Sequence, residues 1–459
     1  MEFNNFNYRV IEKIYNITKG NPRLAIMCAK LVLEENDIFV LYNVANIFEN
    51  YYRKVFDEIE KLQRPMYLKV LGIISFLRVI NNNELETFQK IHDIFEISKT
   101  EFWDIVYELN NQEIIDLYEN QYAKFSDQSF QSYIFYKVFF EKEILDYGKL
   151  LVNFSNNFEN YQLIIDSLNP TLANFNSKFI KDKLIKHYLY WTDCYNNNKL
   201  EILKVLKYFW FVEEKRTLEI IENEINRLPD AEVVNINFEI DTQKLYKSNY
   251  NNDINLEYFE ILKQYKQSFC GFIKSLELMF HLLYKYPELY GWIVKFIKEE
   301  LIFDRDSFDE RYYFQILIFD FLIEKSKRNN KIIENLIFQI SNTFLETSYR
   351  TGWNTGKNSF VMATIHLVLT EEVKKLRQNI LEYIFKKFWN NQSKEKILIF
   401  LEKYTQPQGF EIIEEIYIFD STIIIPFIRS NLDPNDFHQC KIVNDYIKFL
   451  EKGLQIKNM

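Results

Sequence analysis

A mainly α-helical fold, built as a small helical unit, a winged helix with one β-hairpin and a long irregular helical array, is what the sequence predicts. Three observations carry it. Glycine occurs 9 times and proline 8 times in 459 residues, where ordinary usage gives about 7% and 5%, so folds that turn the backbone tightly every few residues are disfavoured. Hydrophobic residues make up 47% of the chain, enough for a sizeable core, and long stretches carry them at i, i+3 and i+4 spacing, the stripe of an amphipathic helix. Aromatic residues reach 17%, with 42 Phe and 31 Tyr, which argues against a disordered chain.

The first segment, 1–48, opens with a helical stripe of Val10, Ile11, Ile14 and Ile17. It halts at Thr18-Lys19-Gly20-Asn21-Pro22, where Gly20 suits a helix C-terminus and Pro22 a helix start. A second stripe follows at Leu24, Met27, Cys28, Leu31 and Val32. Residues 49–145 carry helical faces at Val70, Leu71, Ile74 and Leu77, then at Phe102, Ile105 and Leu109. After these comes a hairpin pattern, Ile114 to Tyr118 and Tyr122 to Phe125, with a turn at Glu119-Asn120-Gln121. Ser126-Asp127 offers an N-cap for the next helix, through Phe130, Ile134 and Val138. Helices followed by a hairpin is the order of a winged helix-turn-helix domain. Residues 146–459 read as successive helical pairs. Examples are the stripes Leu184, Tyr188, Trp191, Tyr195, then Leu218, Ile221, Ile225, Leu228, then Leu376, Ile380, Ile384, Phe388. No fixed period recurs, so the expectation is an irregular α-solenoid in the manner of TPR or HEAT arrays. The stretch 229–256 breaks the pattern and reads as a long loop, with a short strand near Val233 to Phe238.

Charge and cysteine usage narrow the setting. The 56 basic and 65 acidic residues leave a net charge of -9, not the broad positive field of a non-specific nucleic-acid binder. Cys28, Cys194, Cys270 and Cys440 lie far apart in apolar contexts without a CxxC pair, and read as buried, reduced thiols of a cytoplasmic protein. The five histidines are scattered without metal-ligand spacing. No stretch has the length and apolarity of a signal peptide or a membrane span.

Sites of chemistry are sparse. Gly352-Trp353-Asn354-Thr355-Gly356-Lys357-Asn358 imitates a phosphate loop. It has one residue too few between its glycines, however, and Asn358 stands where a Ser or Thr would bind Mg²⁺. It reads instead as a polar turn between helices. Asp304 to Asp309 imitates a calcium loop, but Asp309 replaces the required glycine and Phe308 a ligand. Between Thr100 and Ala123 there is no Lys or Arg but six acids: Glu101, Asp104, Glu108, Glu113, Asp116 and Glu119. A recognition helix so charged is repelled by phosphates, so the wing is not expected to read DNA. No catalytic constellation stands out, and an enzyme is not expected.

The corner Lys19-Gly20-Asn21-Pro22-Arg23-Leu24-Ala25 resembles the Gly-x-Pro and sensor-2 corner in the lid of AAA+ and STAND ATPases, signalling relatives with nucleotide switches. The segment 70–77 and the run KFSDQSFQSYIFY (124–136) are similar to the winged-helix domain that follows the lid in bacterial STAND proteins. The match covers 1–145 by motif and order, and 146–459 by general architecture. The resemblance implies Pro22 beside an adenine and Arg23 on the phosphates, with a helix N-terminus and a guanidinium making the anion site. It also implies a helical sensor that recognises a partner protein, frequently from phage, and triggers assembly of an ATPase and its effector. The departure is upstream, where Met1 stands only a few helical turns before the corner. The expected reading is the C-terminal, sensor part of such a protein without its nucleotide-binding core. ATP and Mg²⁺ would then enter only with a core supplied upstream or in trans, and a homo-oligomer is a further expectation. A plain α-solenoid scaffold with no nucleotide link is the alternative. Within the array, Tyr349, Arg350, Trp353 and Lys357 gather around two of the few glycines and are expected to form an exposed partner-binding loop with Trp353 as anchor. The bland alternative is a Trp353 that plugs the core between two helices.

Overall fold

The computed structural model of the chain describes residues 8–18, 22–35, 44–61, 65–154, 161–195, 198–231, 236, 238, 254–303, 307–308, 310–327, 330–356, 359–389, 391–406 and 413–455. The chain divides into two compact units, 1–214 and 215–459. That division falls inside the stretch that reads in sequence as one helical array.

The first unit begins with α1 (Tyr8–Thr18), α2 (Pro22–Glu35) and α3 (Val44–Lys61). The apolar stripe of α2 is its buried side: Leu24, Met27, Cys28, Leu31 and Val32 are all in the core, with α1 and α3 packed against that helix. Next come α4 (Pro65–Leu77), β1 (Val79–Asn81), α5 (Leu85–Phe95), α6 (Lys99–Asn111), β2 (Ile115–Tyr118), β3 (Tyr122–Phe125) and α7 (Gln128–Tyr136). The three strands are antiparallel in the order β1-β3-β2. Helix, strand, two helices and a two-stranded wing, with the first strand joining the edge of the wing, is the topology of a winged helix. Sequence pattern located the wing but not β1, whose three residues are too short to show alternation.

Local chemistry explains these elements. Asp127 caps α7, its carboxylate accepting from the amides of Ser129 and Phe130, as the Ser-Asp signal predicts. Both central residues of the wing turn, Glu119 and Asn120, take positive φ, the geometry whose twist matches a hairpin. Helix α4 is apolar nearly all round and buried from Tyr67 to Phe76, so it forms the centre of the domain rather than one of its faces. A π-helical turn, Lys137–Glu141, extends α7. There the buried Lys137 ammonium meets Glu49 at 2.8 Å and Glu141 at 2.6 Å, while Tyr133 donates to Glu49 at 3.0 Å. Burial alone would lower the pKa of Lys137, but its two carboxylate partners hold it above the ordinary lysine value. With Tyr52 donating to Asp127 at 2.6 Å, these bonds tie α3 to the winged helix. Helices α8 (Tyr147–Phe154), α9 (Tyr161–Asn174), α10 (Ser177–Cys194) and α11 (Lys199–Phe209) complete the unit.

The second unit takes up the chain within α12 (Glu214–Arg227) and continues with α13 (Ile254–Lys263), α14 (Phe272–Lys285), α15 (Tyr290–Glu300), α16 (Tyr313–Ser326) and α17 (Lys331–Phe344). A long hairpin follows, β4 (Ser348–Gly356) and β5 (Ser359–His366), then α18 (Glu371–Lys386), α19 (Asn391–Tyr404), α20 (Glu414–Asn431) and α21 (Phe437–Gln455). Helices pack on some successors (α13 on α14, α16 on α17, α17 on α18, α20 on α21) and regularly on the helix two places along: α15 on α17, α16 on α18, α17 on α19, α18 on α20 and α19 on α21. That local pairing is the signature of a solenoid-like helical array. The stripe Leu376, Ile380 and Ile384 is buried along α18, and Phe388, just past its end, is buried as well. Among the described residues, no helix is long and apolar enough to cross a membrane.

Three expectations are corrected. The segment around Gly352 is not a polar turn between helices but part of a hairpin of nine and eight residues per strand. Its second arm, Phe360 to Ile365, is rich in β-formers, and the polar residues of the first arm obscured the alternation. Of the four cysteines only Cys28 is buried; Cys194, Cys270 and Cys440 are exposed. Burial pushes the Cys28 thiol up to about 11. Tyr349, expected on the surface, is buried. The strand expected near Val233 lies largely outside the described residues; Ile236 and Phe238 are described and belong to no regular element.

Candidate functional site

The hairpin β4–β5 breaks an otherwise helical unit, and its base is closely bonded. Leu367 donates its amide to the Thr347 carbonyl at 2.9 Å, closing the base. Tyr349, the second residue of β4, is 5% exposed and donates its hydroxyl to the carbonyls of Thr343 and Glu346. Its ring stands 5.0 Å from that of Phe303, which also meets Tyr312 and Phe344. Tyr349 therefore belongs to the core and is not the surface contact that the sequence suggested. Burial raises its phenol well above the ordinary value.

Beneath the base lies a fully buried ion pair. Arg377 of α18 and Asp420 of α20 are both inaccessible to solvent. The guanidinium donates from Nε to Oδ1 at 2.9 Å and from Nη2 to Oδ2 at 2.6 Å, a two-pronged geometry suited to Arg. Nη2 also donates to the Leu345 carbonyl at 2.8 Å, and Tyr404 of α19 donates to Asp420 at 2.6 Å. Burial alone would lower the Arg377 pKa, but the Asp420 charge and hydrogen bonds hold it above the ordinary guanidinium value. One cluster thus joins α18, α19 and α20 to the carbonyl where α17 ends and the hairpin begins. It spends its hydrogen-bonding capacity internally and has none of the access that chemistry on a substrate requires.

Elsewhere in the second unit several large apolar side chains are exposed. Phe269 is 65% exposed, Phe308 54%, Met362 60% and Val368 53%. Phe269 meets the half-exposed Tyr313 at 5.3 Å between centroids, and Phe308 meets Tyr312 at 6.3 Å. Phe308 is carried on a strained turn: Arg311 and Tyr312 both take positive φ, 52° and 57°, each costing about 1–2 kcal/mol for a residue other than glycine. The amides of these two residues return to the Phe308 and Ser307 carbonyls. Contiguous exposed apolar patches mark interaction surfaces, whereas single exposed apolar side chains are ordinary; here Phe269 with Tyr313 is an exposed pair in contact.

Pro22 and Arg23, the residues expected at a nucleotide, occupy the first turn of α2, and Arg350 and Trp353 lie on β4; the side chains of all four lie outside the described residues, as does Lys357 altogether. The register pairs Arg350 with Thr364 and Trp353 with Val361. Sequence reasoning missed Arg377, Asp420, Phe303 and Phe308.

The winged helix presents a different surface. Glu101, Asp104, Tyr107 and Glu108 line the exposed side of α6, and Lys99 at its start lies over the Phe88 ring. A duplex titrated into the protein at physiological salt is expected to show no saturation below about 1 μM, since even ordinary non-specific binding runs at 10⁻⁴–10⁻⁶ M. Sub-micromolar binding by fluorescence anisotropy would contradict this.

A cavity of about 100 Å³ in the first unit is lined by Glu143, Asp146, Lys183, Lys186 and His187 with apolar neighbours. It is smaller than the roughly 300 Å³ at the low end of small-molecule pockets. Burial holds the His187 imidazole below its ordinary pKa, and its ring presses on the backbone of Gly148, where a Cβ would come within 2.4 Å of Nδ1. Among the described residues no group of three or more His, Cys, Asp or Glu side chains is placed to hold a metal.

Comparison with protein-family models gave no match, and no curated protein sequence matches the chain significantly.

Proposed function

We propose that this chain is the sensor and regulatory part of a STAND-type signalling protein, and that its second unit recognises a partner protein without catalysing a reaction. The observation that carries the reading is the β-hairpin set into the helical array, seated on a buried Arg–Asp cluster and carrying the exposed Met362, in a unit that also exposes Phe269 and Phe308. A rigid seat under an apolar, accessible rim is what a binding surface needs, because preorganisation removes ordering costs from association. The order of elements in the first unit, a helix pair, α3 and then a winged helix, supports the STAND ancestry that the Gly-Asn-Pro-Arg corner suggests. An acidic α6 suits a winged helix that docks to protein rather than to DNA.

Two measurements test the reading. Calorimetric titration with MgATP is expected to give no binding, because Arg23 at a helix start cannot by itself replace a phosphate loop and its metal; micromolar affinity would overturn the non-catalytic assignment. Trp353→Ala is expected to weaken partner binding by about 2 kcal/mol or more, as truncated aromatic anchors do, with the melting temperature nearly unchanged. A large drop in melting temperature with unaltered binding would instead make Trp353 a core residue.

A further inference from the structure

In the first unit, where the winged helix meets α10, one imidazole is packed among charges. Helix α8 starts at the buried Tyr147, whose ring lies against those of Phe76, Phe135, Phe139 and Phe140. The start of α8 is thereby fixed to the winged helix. Helix α10 reaches the same point through His187, whose ring stacks on Trp191 at 5.7 Å and leaves no room for a Cβ on Gly148. The groups that face this ring are Glu143 and Asp146 from the turn before α8, Tyr147 of α8, and Lys183 and Lys186 of α10. Glu143 is already engaged by both lysines. With the imidazole neutral, two carboxylates balance two ammonium groups. A proton on His187 puts one positive charge in excess, beside a helix N-terminus whose dipole disfavours a cation. The remaining carboxylate is engaged as well: Asp146 Oδ1 accepts the Lys149 amide at 3.0 Å, the bond of an N-cap. His187 Nε2 stands 3.7 Å from that same oxygen, beyond hydrogen-bond reach. An imidazolium there must either draw Oδ1 away from the cap or turn toward water through the small cavity alongside.

We propose that His187 is a pH-sensitive latch: its neutral ring holds α10 against the start of α8, and its protonation releases that contact. Burial holds the imidazole below its ordinary value of 6.5, so the closed joint binds fewer protons than the open one, in which the ring is solvated. The latch is therefore at full strength above pH 6.5 and weakens as the pH falls below that value. The winged-helix side of the joint stays in place, because the rings packed round Tyr147 carry no charge in this range and burial keeps its phenol protonated.

The test uses the full chain. Hydrogen exchange read by mass spectrometry at about pH 7.5 and about pH 5.5, corrected for the intrinsic pH dependence of exchange, reports the joint directly. Protection of α10 around His187 is expected to fall at least twofold and at most about tenfold, the limit set by one pH unit below the ordinary value, while that of α4 is unchanged. His187→Gln, neutral throughout, should abolish this dependence. In NMR the His187 ring, identified by its absence from that variant, should titrate with a midpoint below 6.5. Asp146→Asn keeps a capping side chain but removes the counter-charge, and should move the midpoint further down. Where His187→Gln fails to fold, the histidine resonance displaced by Asp146→Asn identifies the ring, and its midpoint and the wild-type exchange decide. A midpoint at or above 6.5, a loss of α10 protection under about twofold, or the same loss in His187→Gln overturns the proposal.

Discussion

Replacing Asp420 with alanine should destabilise the second unit by about 3–5 kcal/mol, because the change leaves the Arg377 guanidinium buried without its counter-charge. Arg377 is wholly inaccessible, so water cannot take the place of the carboxylate. Tyr404 loses its acceptor at the same time, which adds the cost of a second unsatisfied group. At roughly 2–4 °C per kcal/mol for a unit of this size, the transition should fall by about 6–20 °C in scanning calorimetry. The expected behaviour of the double variant Arg377→Met, Asp420→Leu is different: with both charges gone, most of the stability should return, since apolar replacement of a buried pair is often neutral or better. A single-variant loss under about 1 kcal/mol would mean that the pair is accessible to water in solution and does not seat the hairpin.

Phe303→Ala is the second large effect, expected to cost about 3–5 kcal/mol, the usual range for deleting a buried phenyl ring. Phe303 is 3% exposed and touches the rings of Tyr312, Phe344 and Tyr349. It therefore supports both the strained turn that presents Phe308 and the first residues of β4. The loss should appear locally as well as globally: amide exchange of Leu367, whose hydrogen bond closes the hairpin base, should accelerate more than that of buried α18 residues such as Ile380. Phe308→Ala makes the contrast, with less than about 0.5 kcal/mol of stability at stake on an exposed side chain. Equal stability losses at positions 303 and 308 would refute the division into a supporting core and a presenting surface.

Helices were legible because their stripes repeat within a few residues: Leu24 to Val32 and Leu376 to Phe388 bury the faces that the spacing marks. The wing and its Asp127 cap were legible for the same reason, being local. What escaped were features made by distant residues. Nothing in sequence links Arg377 to Asp420, since each looks like one more charge on an amphipathic helix. Tyr349 was misjudged because a tyrosine beside Arg and Trp resembles an interface anchor, whereas its partners, Phe303 and the Thr343 and Glu346 carbonyls, are fixed only by folding. The long hairpin was hidden by Ser348, Arg350, Asn354 and Thr355, polar residues that a half-exposed ribbon tolerates and that a sequence pattern reads as a turn. Among the exposed cysteines, Cys194 and Cys440 lie on helices α10 and α21, where an apolar sequence context does not guarantee a buried face.

A photoreactive amino acid placed in turn at Met362 and at Leu200, in cells that naturally express the protein, tests the recognition surface most directly. Both side chains are exposed, 60% and 63%, but Met362 lies on the hairpin of the second unit and Leu200 on α11 of the first. A discrete covalent adduct with one partner protein from position 362, and none from position 200, is the expected result. No adduct at position 362, or the same adducts from both positions, would contradict the assignment of the hairpin as the site of partner recognition.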